Sequence, residues 1–582
     1  MSPSPISSIG LLAGPAEFSR LSKAIAVPGL LHDLAAFIGR LADHELTEPV
    51  VSRTMEGYRL LRVSRRVLRS VVNCGIIYQL GGDPRYARCA IENLKAAAGF
   101  SDWNPAHFLD VGEMCCAFAL GLDWLHDAMS AEERTAIEDA LIRLGLDVGL
   151  ADPNAWFITS TNNWNAVCNG GLAMGALAVR HRRPDLAEKL VARCIQQLPL
   201  HGNNYAPEGA FIEGSMYWAY GTVYHALAVE SLLRATGSTH GLDALPGFRE
   251  SADYMSHIVG PTGEFYPYYD ARAERIPLPA LAWFGRHFDN PTATRAEAAD
   301  IRRVIGGPLE PVLWLENRCF ALSLLWLKTE HLADTTRLPL TWSGDGPNPV
   351  AFWRTDWTHE AVWVGAKGGK ATLSHGHLDA GSFVFEAGGV RWAIDCGMEE
   401  YHRIEAMGIN LWGKDRWTLF RLGPESHSIP RIDDAAPNPE GDCPRIEWLD
   451  TAYPRVSFDL SALYPGTVNR LHRTIAAGAA GRTTWRDDVA GLAPGRTYRF
   501  TWVTTAEVSV DGPCVVLTQG GRSLRLAATC AHPVAAGVVD GAVLIKPHDS
   551  PTPGLKRIEF AVVAPGGAFS LEITAELAPT PV

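Results

Sequence analysis

The chain has 582 residues, of which 47% are apolar, and a formal net charge of −12. Its length exceeds what one ordinary hydrophobic core supports and its apolar content is too high for a disordered chain, so we expect two large folded domains. The negative charge and the lack of Lys/Arg-rich blocks exclude a typical nucleic-acid-binding protein, and no apolar run approaches the ~20 residues that a membrane-spanning helix needs.

The N-terminal sequence MSPSPISSIGLLAGPAEFSR lacks the basic region and the long apolar region of a secretory signal. The eleven cysteines are odd in number and show no paired spacing, and Cys115 and Cys116 are adjacent within an apolar helical pattern. Both features are typical of buried thiols in a reducing compartment. We therefore expect a cytoplasmic protein, or a periplasmic or secreted one if a signal has been removed.

From about residue 20 to residue 330, apolar residues recur at helical spacing, as in VGEMCCAFALGLDWLHDAM and YHALAVESLLRAT. These segments return roughly every 35 to 50 residues without an exact sequence repeat. This pattern favours a closed or partly closed ring of helix pairs, an (α/α) toroid, over an open solenoid. We assign residues 1–337 to this domain.

After TWSGDGPNPV the pattern changes to short alternating segments: HEAVWVGAKGG, GSFVFEAGGVRWAID, YRFTWVTTAEVSV, CVVLTQGGRSLRLAA and GAVLIKPHD. No helical pattern separates them, so the strands are expected to pair antiparallel. Residues 338–582 are therefore predicted to form an antiparallel β-sandwich.

An Asn-rich segment opens one of the apolar helices, with Asn162, Asn163 and Trp164 at its start. Side-chain amides at this place commonly cap free backbone N–H groups. An amide beside the positive end of a helix also suits a substrate carboxylate. The sequence leaves both interpretations open.

The segment PEGAFIEGSMYWAYG combines two acids with a row of tyrosines. Tyr217, Tyr220 and Tyr224 share one helical face, which is the spacing typical of packing. Glu208 and Glu213 precede them in a Gly-rich stretch and fit the acid/base pair of a glycosidase.

The motif SHGHLD carries His375 and His377, two positions apart. On an extended chain such residues point the same way and address one site. Asp395 returns toward them if Gly388-Gly389 forms a hairpin turn, and His427 completes a set of donors that suits Zn²⁺. The alternative is a group of satisfied polar residues at a sheet edge.

Taken in order, NNWNAVCNGG, EGAFIEGSMYWAYG, SHGHLDAGSFVFEAGGVRWAIDCG and ESHS resemble the heparinase II/III-like polysaccharide lyases, to which some alginate lyases are related. The resemblance covers roughly residues 100 to 430. Proteins of this family have an N-terminal (α/α) toroid and a C-terminal antiparallel β-sandwich, which agrees with the periodicity. Some members have a His near the Asn-rich segment, where this chain has Trp164.

The resemblance implies cleavage by β-elimination, in which the C5 proton of a uronic acid is removed and the C4 oxygen leaves. It implies that Tyr217 serves in proton transfer, that His375 faces the substrate and that Asn163 neutralises the uronate carboxylate. It also implies that zinc is bound by His377, Asp395 and His427. We expect the zinc to be structural, although three ligands leave a metal-dependent hydrolase open.

The expected partner is an acidic polysaccharide or oligosaccharide, glycosaminoglycan-like or alginate-like, cleaved to unsaturated uronate products. The candidate substrate-binding residues are Asn162, Trp164, Glu208, Glu213, Tyr401, Arg416 and Arg421, of which the last three fit a structural role equally well. The rival hypotheses are a toroid glycoside hydrolase using Glu208 and Glu213, and a non-catalytic carbohydrate-binding protein. A homo-oligomer is left open.

Overall fold

The computed structural model describes residues 10–151 and 155–578, so the first nine residues of the N-terminal stretch, for which no secretory signal was predicted, lie outside the described residues. The chain divides into two compact units. The first comprises Met1–Asn204, Tyr217–Ala252 and Ile276–Arg337, and the second comprises Tyr205–Met216, Asp253–Arg275 and Leu338–Val582. Two short segments from within the helical part of the sequence thus belong to the second unit.

The chain is helical up to residue 326. The helices are α1 (Pro15–Ile25), α2 (Leu30–Thr47), α3 (Leu61–Gly81), α4 (Pro84–Ala98), α5 (Leu109–Trp124), α6 (Ala131–Ala140), α7 (Asp147–Ala151), α8 (Asn163–Ala178), α9 (Pro184–Gly202), α10 (Ser215–Thr236), α11 (Ser251–His257), α12 (Pro279–His287), α13 (Pro291–Ile305) and α14 (Ser323–Trp326). A π-helical stretch, Leu141–Leu146, joins α6 to α7.

Helix α5 forms the centre of the first unit. All sixteen of its residues are buried, and it packs against both α3 and α8. A helix that is buried on all sides has no face for solvent, so it needs neighbours on every side. This burial fixes the position of α8, whose first turn carries the Asn-rich segment.

Within the part of the chain that the structure describes, no single helix is long and apolar enough to cross a membrane. Helices α1 and α2 meet that criterion only when taken together, as a pair bent by 107°.

The second unit contains three antiparallel sheets. One has the order β1-β2-β3-β4-β5, another β12-β13-β14-β17-β10-β9-β8-β7 and the third β15-β16-β11-β6. The strands are β1 (Thr341–Gly344), β2 (Val350–Arg354), β3 (Trp363–Lys367), β4 (Phe383–Ala387), β5 (Val390–Ala393), β6 (Arg431–Ile432), β7 (Arg445–Leu449), β8 (Arg455–Asp459), β9 (Arg470–Ala477), β10 (Thr483–Ala490), β11 (Thr497–Thr504), β12 (Glu507–Asp511), β13 (Cys514–Gln519), β14 (Arg522–Cys530), β15 (Ala535–Asp540), β16 (Lys556–Val563) and β17 (Phe569–Leu577).

The predicted strand GAVLIKPHD is wrong. Its first residues form a short helix, α16 (Gly541–Leu544), because the side chain of Asp540 accepts a hydrogen bond from the Ala542 amide and caps the turn. One further helix, α15 (Tyr401–Ala406), lies in the loop between β5 and β6. The other predicted strand segments all contain strands of the sheets.

The core of the second unit is aromatic. The rings of Phe383 and Trp485 lie 5.0 Å apart, as do those of Trp485 and Trp502. The fully buried Arg473 lies beside this core and donates two hydrogen bonds to the Asp487 carboxylate, at 2.8 and 2.7 Å. All eleven cysteines of the chain are free thiols, as predicted.

Replacing Asp487 with Asn should strongly destabilise the second unit. The substitution leaves the Arg473 guanidinium buried without its counter-charge, a change that costs about 3–5 kcal/mol of unfolding free energy. Denaturant unfolding followed by tryptophan fluorescence measures this loss. The matched control is Asp488→Asn, which removes a neighbouring half-exposed carboxylate paired with the exposed Arg486 and should cost about 1 kcal/mol or less. Equal unfolding midpoints for the two variants would contradict the prediction.

Candidate active site

The carboxylate of Asp270 is the centre of the candidate site in the second unit. Its Oδ2 atom accepts hydrogen bonds from His375 Nδ1 at 3.0 Å, the Tyr401 hydroxyl at 2.9 Å and Arg416 Nη2 at 2.9 Å. Its Oδ1 atom lies 3.0 Å from His377 Nε2. Asp270 is 0% exposed, so one buried carboxylate holds four polar side chains.

This carboxylate is ionised in the folded protein. Burial alone would raise its pKa, but the charge of Arg416 and the hydrogen bonds from His375 and His377 hold the pKa of Asp270 well below its usual range. The negative charge therefore persists at neutral pH and fixes the donors around it.

Two non-glycine residues of the site have left-handed backbone conformations. His375 has φ +63° and Tyr269, next to Asp270, has φ +62°. Such a conformation costs roughly 1–3 kcal/mol and persists only where the surroundings hold it in place. The Tyr269 hydroxyl is anchored by hydrogen bonds to Asn348 Oδ1 and to the backbone oxygen of Lys370.

His375 and His377 do reach one site, but not by the predicted route. The segment that carries them forms a turn rather than an extended strand, with φ +63° at His375. The turn sends the two imidazoles to the two different oxygens of Asp270. Both imidazoles thus contact one carboxylate, and the expectation of a strand was wrong.

On its other side, His375 faces an acid and an indole. The Glu213 Oε1 atom lies 3.7 Å from His375 Nε2, and Glu213 is 0% exposed. The ring of Trp412 packs edge-on against His375 with centroids 5.0 Å apart, and Trp412 is 55% exposed. An exposed indole beside a buried imidazole provides an apolar face at the surface of the site.

The three predicted zinc ligands lie near one another. Strands β4 and β5 form the predicted hairpin, with both turn residues, Gly388 and Gly389, at positive φ. Asp395 follows this hairpin, and its Oδ2 atom lies 2.9 Å from His427 Nδ1. The rings of His377 and His427 are 5.6 Å apart.

The charges of these three groups are linked. Burial alone would raise the pKa of Asp395, but His427 holds it below its usual value. Burial alone would lower the pKa of His427, but Asp395 raises it. Burial lowers the pKa of His377 despite its hydrogen bond to Asp270. Asp395 and His427 thus stabilise the charged forms of each other, whereas burial favours the uncharged form of His377.

In this arrangement, no group of three or more His, Cys, Asp or Glu side chains within residues 10–151 and 155–578 is placed to hold a metal ion. Two buried nitrogens nevertheless have no hydrogen-bond partner, Nδ1 of His377 and Nε2 of His427. Buried polar atoms without partners are uncommon, and imidazole nitrogens are good zinc ligands. The donor types therefore fit zinc, and the zinc site stays a prediction.

The Asn-rich segment lies in the first unit, at the start of α8. Asn162 is the N-cap, because its Oδ1 accepts a hydrogen bond from the Trp164 amide at 3.1 Å. Asn163 is almost completely buried. Trp164 is half-buried, with ring centroids 4.5 Å from Trp156 and 4.9 Å from His107.

Tyr217 lies in the first turn of α10 and is 7% exposed. Gly221 follows it by one helical turn, and a Cβ added there would lie 3.5 Å from the Cβ of Asn163 and 2.5 Å from His201 Nε2. Glycine at this position therefore lets α10 pass close to the start of α8. The structure brings the helical turn of Tyr217 and the Asn163 segment together within the first unit.

The other predicted substrate-binding residues make their hydrogen bonds within the second unit. The exposed Glu208 accepts a hydrogen bond from the Asp345 amide at 2.9 Å. The Arg421 guanidinium donates to the backbone oxygens of Cys396, Met398 and Pro551 and to Thr552 Oγ1. Arg421 therefore joins loops, whereas Tyr401 and Arg416 both bind Asp270.

Sequence reasoning missed Asp270 and Trp412. Asp270 lies 105 residues before His375, in YPYYDARAE, and neither spacing nor a motif connects the two. The available signal is weak: an acid within a Tyr-rich stretch that lacks the helical period of its surroundings.

Comparisons with known proteins agree with this architecture. Residues 351–435 match the family model described as heparinase II/III-like, C-terminal. No curated protein matches the sequence. A solved heparinase III aligns with a TM-score of 0.64 at 13% identity, covering 89% of this chain and 77% of the other.

Two further solved structures align over most of the chain. A mutant heparan sulfate lyase from Pedobacter heparinus gives a TM-score of 0.60 at 14% identity, covering 98% of this chain and 88% of that one. The chondroitin AC lyase of Streptomyces coelicolor A3, in complex with chondroitin sulphate, gives 0.50 at 12% identity, covering 96% and 82%.

At these identities the likeness establishes the fold, and the predicted (α/α) toroid followed by an antiparallel β-sandwich is confirmed. The family and the structural neighbours are polysaccharide lyases, in agreement with the predicted enzyme class. The family match over residues 351–435 agrees with the later part of the resemblance read from the sequence, which includes SHGHLDAGSFVFEAGGVRWAIDCG and ESHS.

Proposed function

We propose that this chain is a lyase that cleaves a uronic-acid-containing glycan by β-elimination. The observation that carries the proposal is the buried Asp270 carboxylate at 3.0 Å from Nδ1 of His375, a histidine that lies within the residues matching the family model. A carboxylate at one ring nitrogen orients an imidazole for proton transfer at the other.

Elimination needs a group that takes the weakly acidic C5 proton and a group that protonates the leaving C4 oxygen. Each such transfer contributes roughly 10²- to 10⁴-fold in rate. We assign these transfers to His375 and Tyr217. Tyr217 is nearly buried at the start of α10, and the family resemblance assigns it to proton transfer. We propose Tyr217 as the acid, with His375 as the base or as the group that lowers the pKa of Tyr217.

Charge also develops on the uronate carboxylate as the C5 proton leaves. A single preorganised donor stabilises such charge by about 2.7–4 kcal/mol. We assign this role to the amide of Asn163, at the start of α8, where the positive end of the helix adds to the effect. Asn162, by contrast, already caps the helix.

The hydrolase alternative has less support. A glycosidase needs two carboxyl groups flanking the scissile bond. Glu208 is exposed and accepts a backbone hydrogen bond from Asp345, while Glu213 lies beside His375.

Under the lyase proposal, the substrate is an acidic glycan, glycosaminoglycan-like or alginate-like, cleaved to unsaturated uronate products.

Lyase activity is tested by the ultraviolet absorbance of the new C4–C5 double bond, followed on heparan, chondroitin, hyaluronan, alginate and glucuronan beside a reducing-end assay. We expect both signals to rise together on at least one substrate. Tyr217→Phe should lower kcat by about 10²- to 10⁴-fold, because the substitution removes one proton donor. New reducing ends without absorbance would favour the hydrolase, and binding without turnover would favour a carbohydrate-binding protein.

The matched control is Tyr220→Phe, less than one helical turn later. The Tyr220 hydroxyl donates to the buried Glu113 carboxylate at 2.9 Å, so its loss should cost about 1.5–3 kcal/mol of stability. Activity per folded molecule should stay within a few-fold of the wild type. An equal loss of kcat in both variants would mean that Tyr217 acts only through packing.

We further propose that His377, Asp395 and His427 bind a structural zinc ion. The support is the pair of partnerless nitrogens on the two histidines and the nearness of the three groups. Bound there, zinc would tie the turn of His377 to the loop of His427.

Protein purified with zinc should contain about one zinc ion per chain, and chelation should lower its thermal unfolding midpoint. His427→Ala should lose most of the metal, as measured by elemental analysis. His472→Ala, which removes a half-buried histidine of the same unit, should keep it. Wild-type protein that holds no zinc would rule out the site.

A further inference from the structure

We propose that Asp270 is the positioning residue of this site: its single carboxylate fixes the tautomers of both histidines, with the proton on Nδ1 of His375 and on Nε2 of His377. Nε2 of His375 is thereby directed at the substrate and Nδ1 of His377 at the metal. The inference rests on the proposed lyase function for its kinetic consequence. The tautomers of the two imidazoles can be measured without an activity assay.

The first argument is geometric. His375 Nδ1 lies 3.0 Å from Asp270 Oδ2, and His377 Nε2 lies 3.0 Å from Asp270 Oδ1. An ionised carboxylate accepts hydrogen bonds and donates none, so each of these nitrogens must carry its proton. In a ring that carries a single proton, the opposite nitrogen is then the one with a lone pair.

The second argument comes from the orphaned nitrogen of His377. Its Nδ1 atom is buried and has no hydrogen-bond partner. This is the nitrogen that the bond from Nε2 to Asp270 leaves unprotonated. Metal-binding histidines commonly donate their other ring nitrogen to a carboxylate, and removing that carboxylate lowers metal affinity by roughly 10- to 100-fold. Asp270 is therefore placed to orient the His377 ring in the way that such carboxylates orient metal-binding histidines.

The third argument is that Asp270 is itself held firmly. Arg416 Nη2 and the Tyr401 hydroxyl both donate to Oδ2, the oxygen that binds His375, each at 2.9 Å. Asp270 is also fully buried, so water cannot replace either donor, and the two bonds hold the carboxylate beside both imidazoles. Because the two oxygens serve different histidines, rotation would disturb both bonds together.

The direct test is nitrogen-15 NMR of the histidine rings in labelled protein. Substitution of His375 with Gln and of His377 with Gln assigns the two sets of signals. We expect protonated Nδ1 and unprotonated Nε2 at His375, and the reverse at His377. The opposite tautomer at His375 in the wild-type protein would overturn the proposal without any change at Asp270.

The variant test is Asp270→Asn, which keeps the shape but offers an amide in place of the carboxylate. We expect mixed or reversed imidazole tautomers, and a fall in kcat of about 10²- to 10⁴-fold with KM within about three-fold, because substrate contacts are retained while orientation is lost. Zinc content should fall as well. A folded Asp270→Asn protein with the wild-type tautomers and a kcat within about three-fold of the wild type would overturn the proposal.

The control for general destabilisation is Asp487→Asn, which removes a buried ion-pair carboxylate of the same unit away from the histidines. It should lower stability and leave both tautomers and kcat per folded molecule unchanged. If Asp270→Asn matched Asp487→Asn in every readout, the role of Asp270 would be only structural, and this result would contradict the proposal. Failure of the lyase function itself would show as wild-type protein without product absorbance, whatever the imidazole signals are.

Discussion

The candidate site in the second unit depends on the burial of one negative charge. Asp270 has no solvent to stabilise it, and a charge in that position is tolerated only when hydrogen bonds and an opposite charge surround it. Arg416 supplies the charge, and three further donors complete the shell. The turn of His375 and His377, the start of α15 and the loop of Arg416 therefore converge on one carboxylate, and removing it would leave a guanidinium buried without its counter-charge.

The sandwich supports the loops on which this site is built. Near the end of β11, the Val503 amide donates to Ser428 Oγ, and the Val503 oxygen accepts from the Ile394 amide. Asp395 follows Ile394 in the chain, and His427 precedes Ser428. The two bonds to Val503 therefore place Asp395 and His427 beside the same end of β11. Functional side chains on loops are thus held by a regular sheet with an aromatic core, which is the usual way that a rigid scaffold positions a site.

Periodicity predicted the change from helices to antiparallel strands, because apolar spacing reports which face of an element is buried. The hairpin at Gly388-Gly389 was predictable for the same kind of reason, since paired glycines suit the positive φ of a tight turn. The resemblance predicted the identity of the histidines but not their geometry, because the positive φ at His375 is imposed by its surroundings rather than by its own preference. Asp270 could not be found from the sequence, since its pairing with His375 spans 105 residues and exists only once residues 253–275 join the second unit.

The central claim is that the glycan bond is broken by elimination, and mass spectrometry of the cleavage of a defined uronate oligosaccharide tests it most directly. Elimination adds no water, so the masses of the two fragments should sum to the mass of the substrate, and the fragment with the new non-reducing end should be lighter by one water than its saturated counterpart. Fragments whose masses sum to the substrate plus one water would identify hydrolysis and contradict the account.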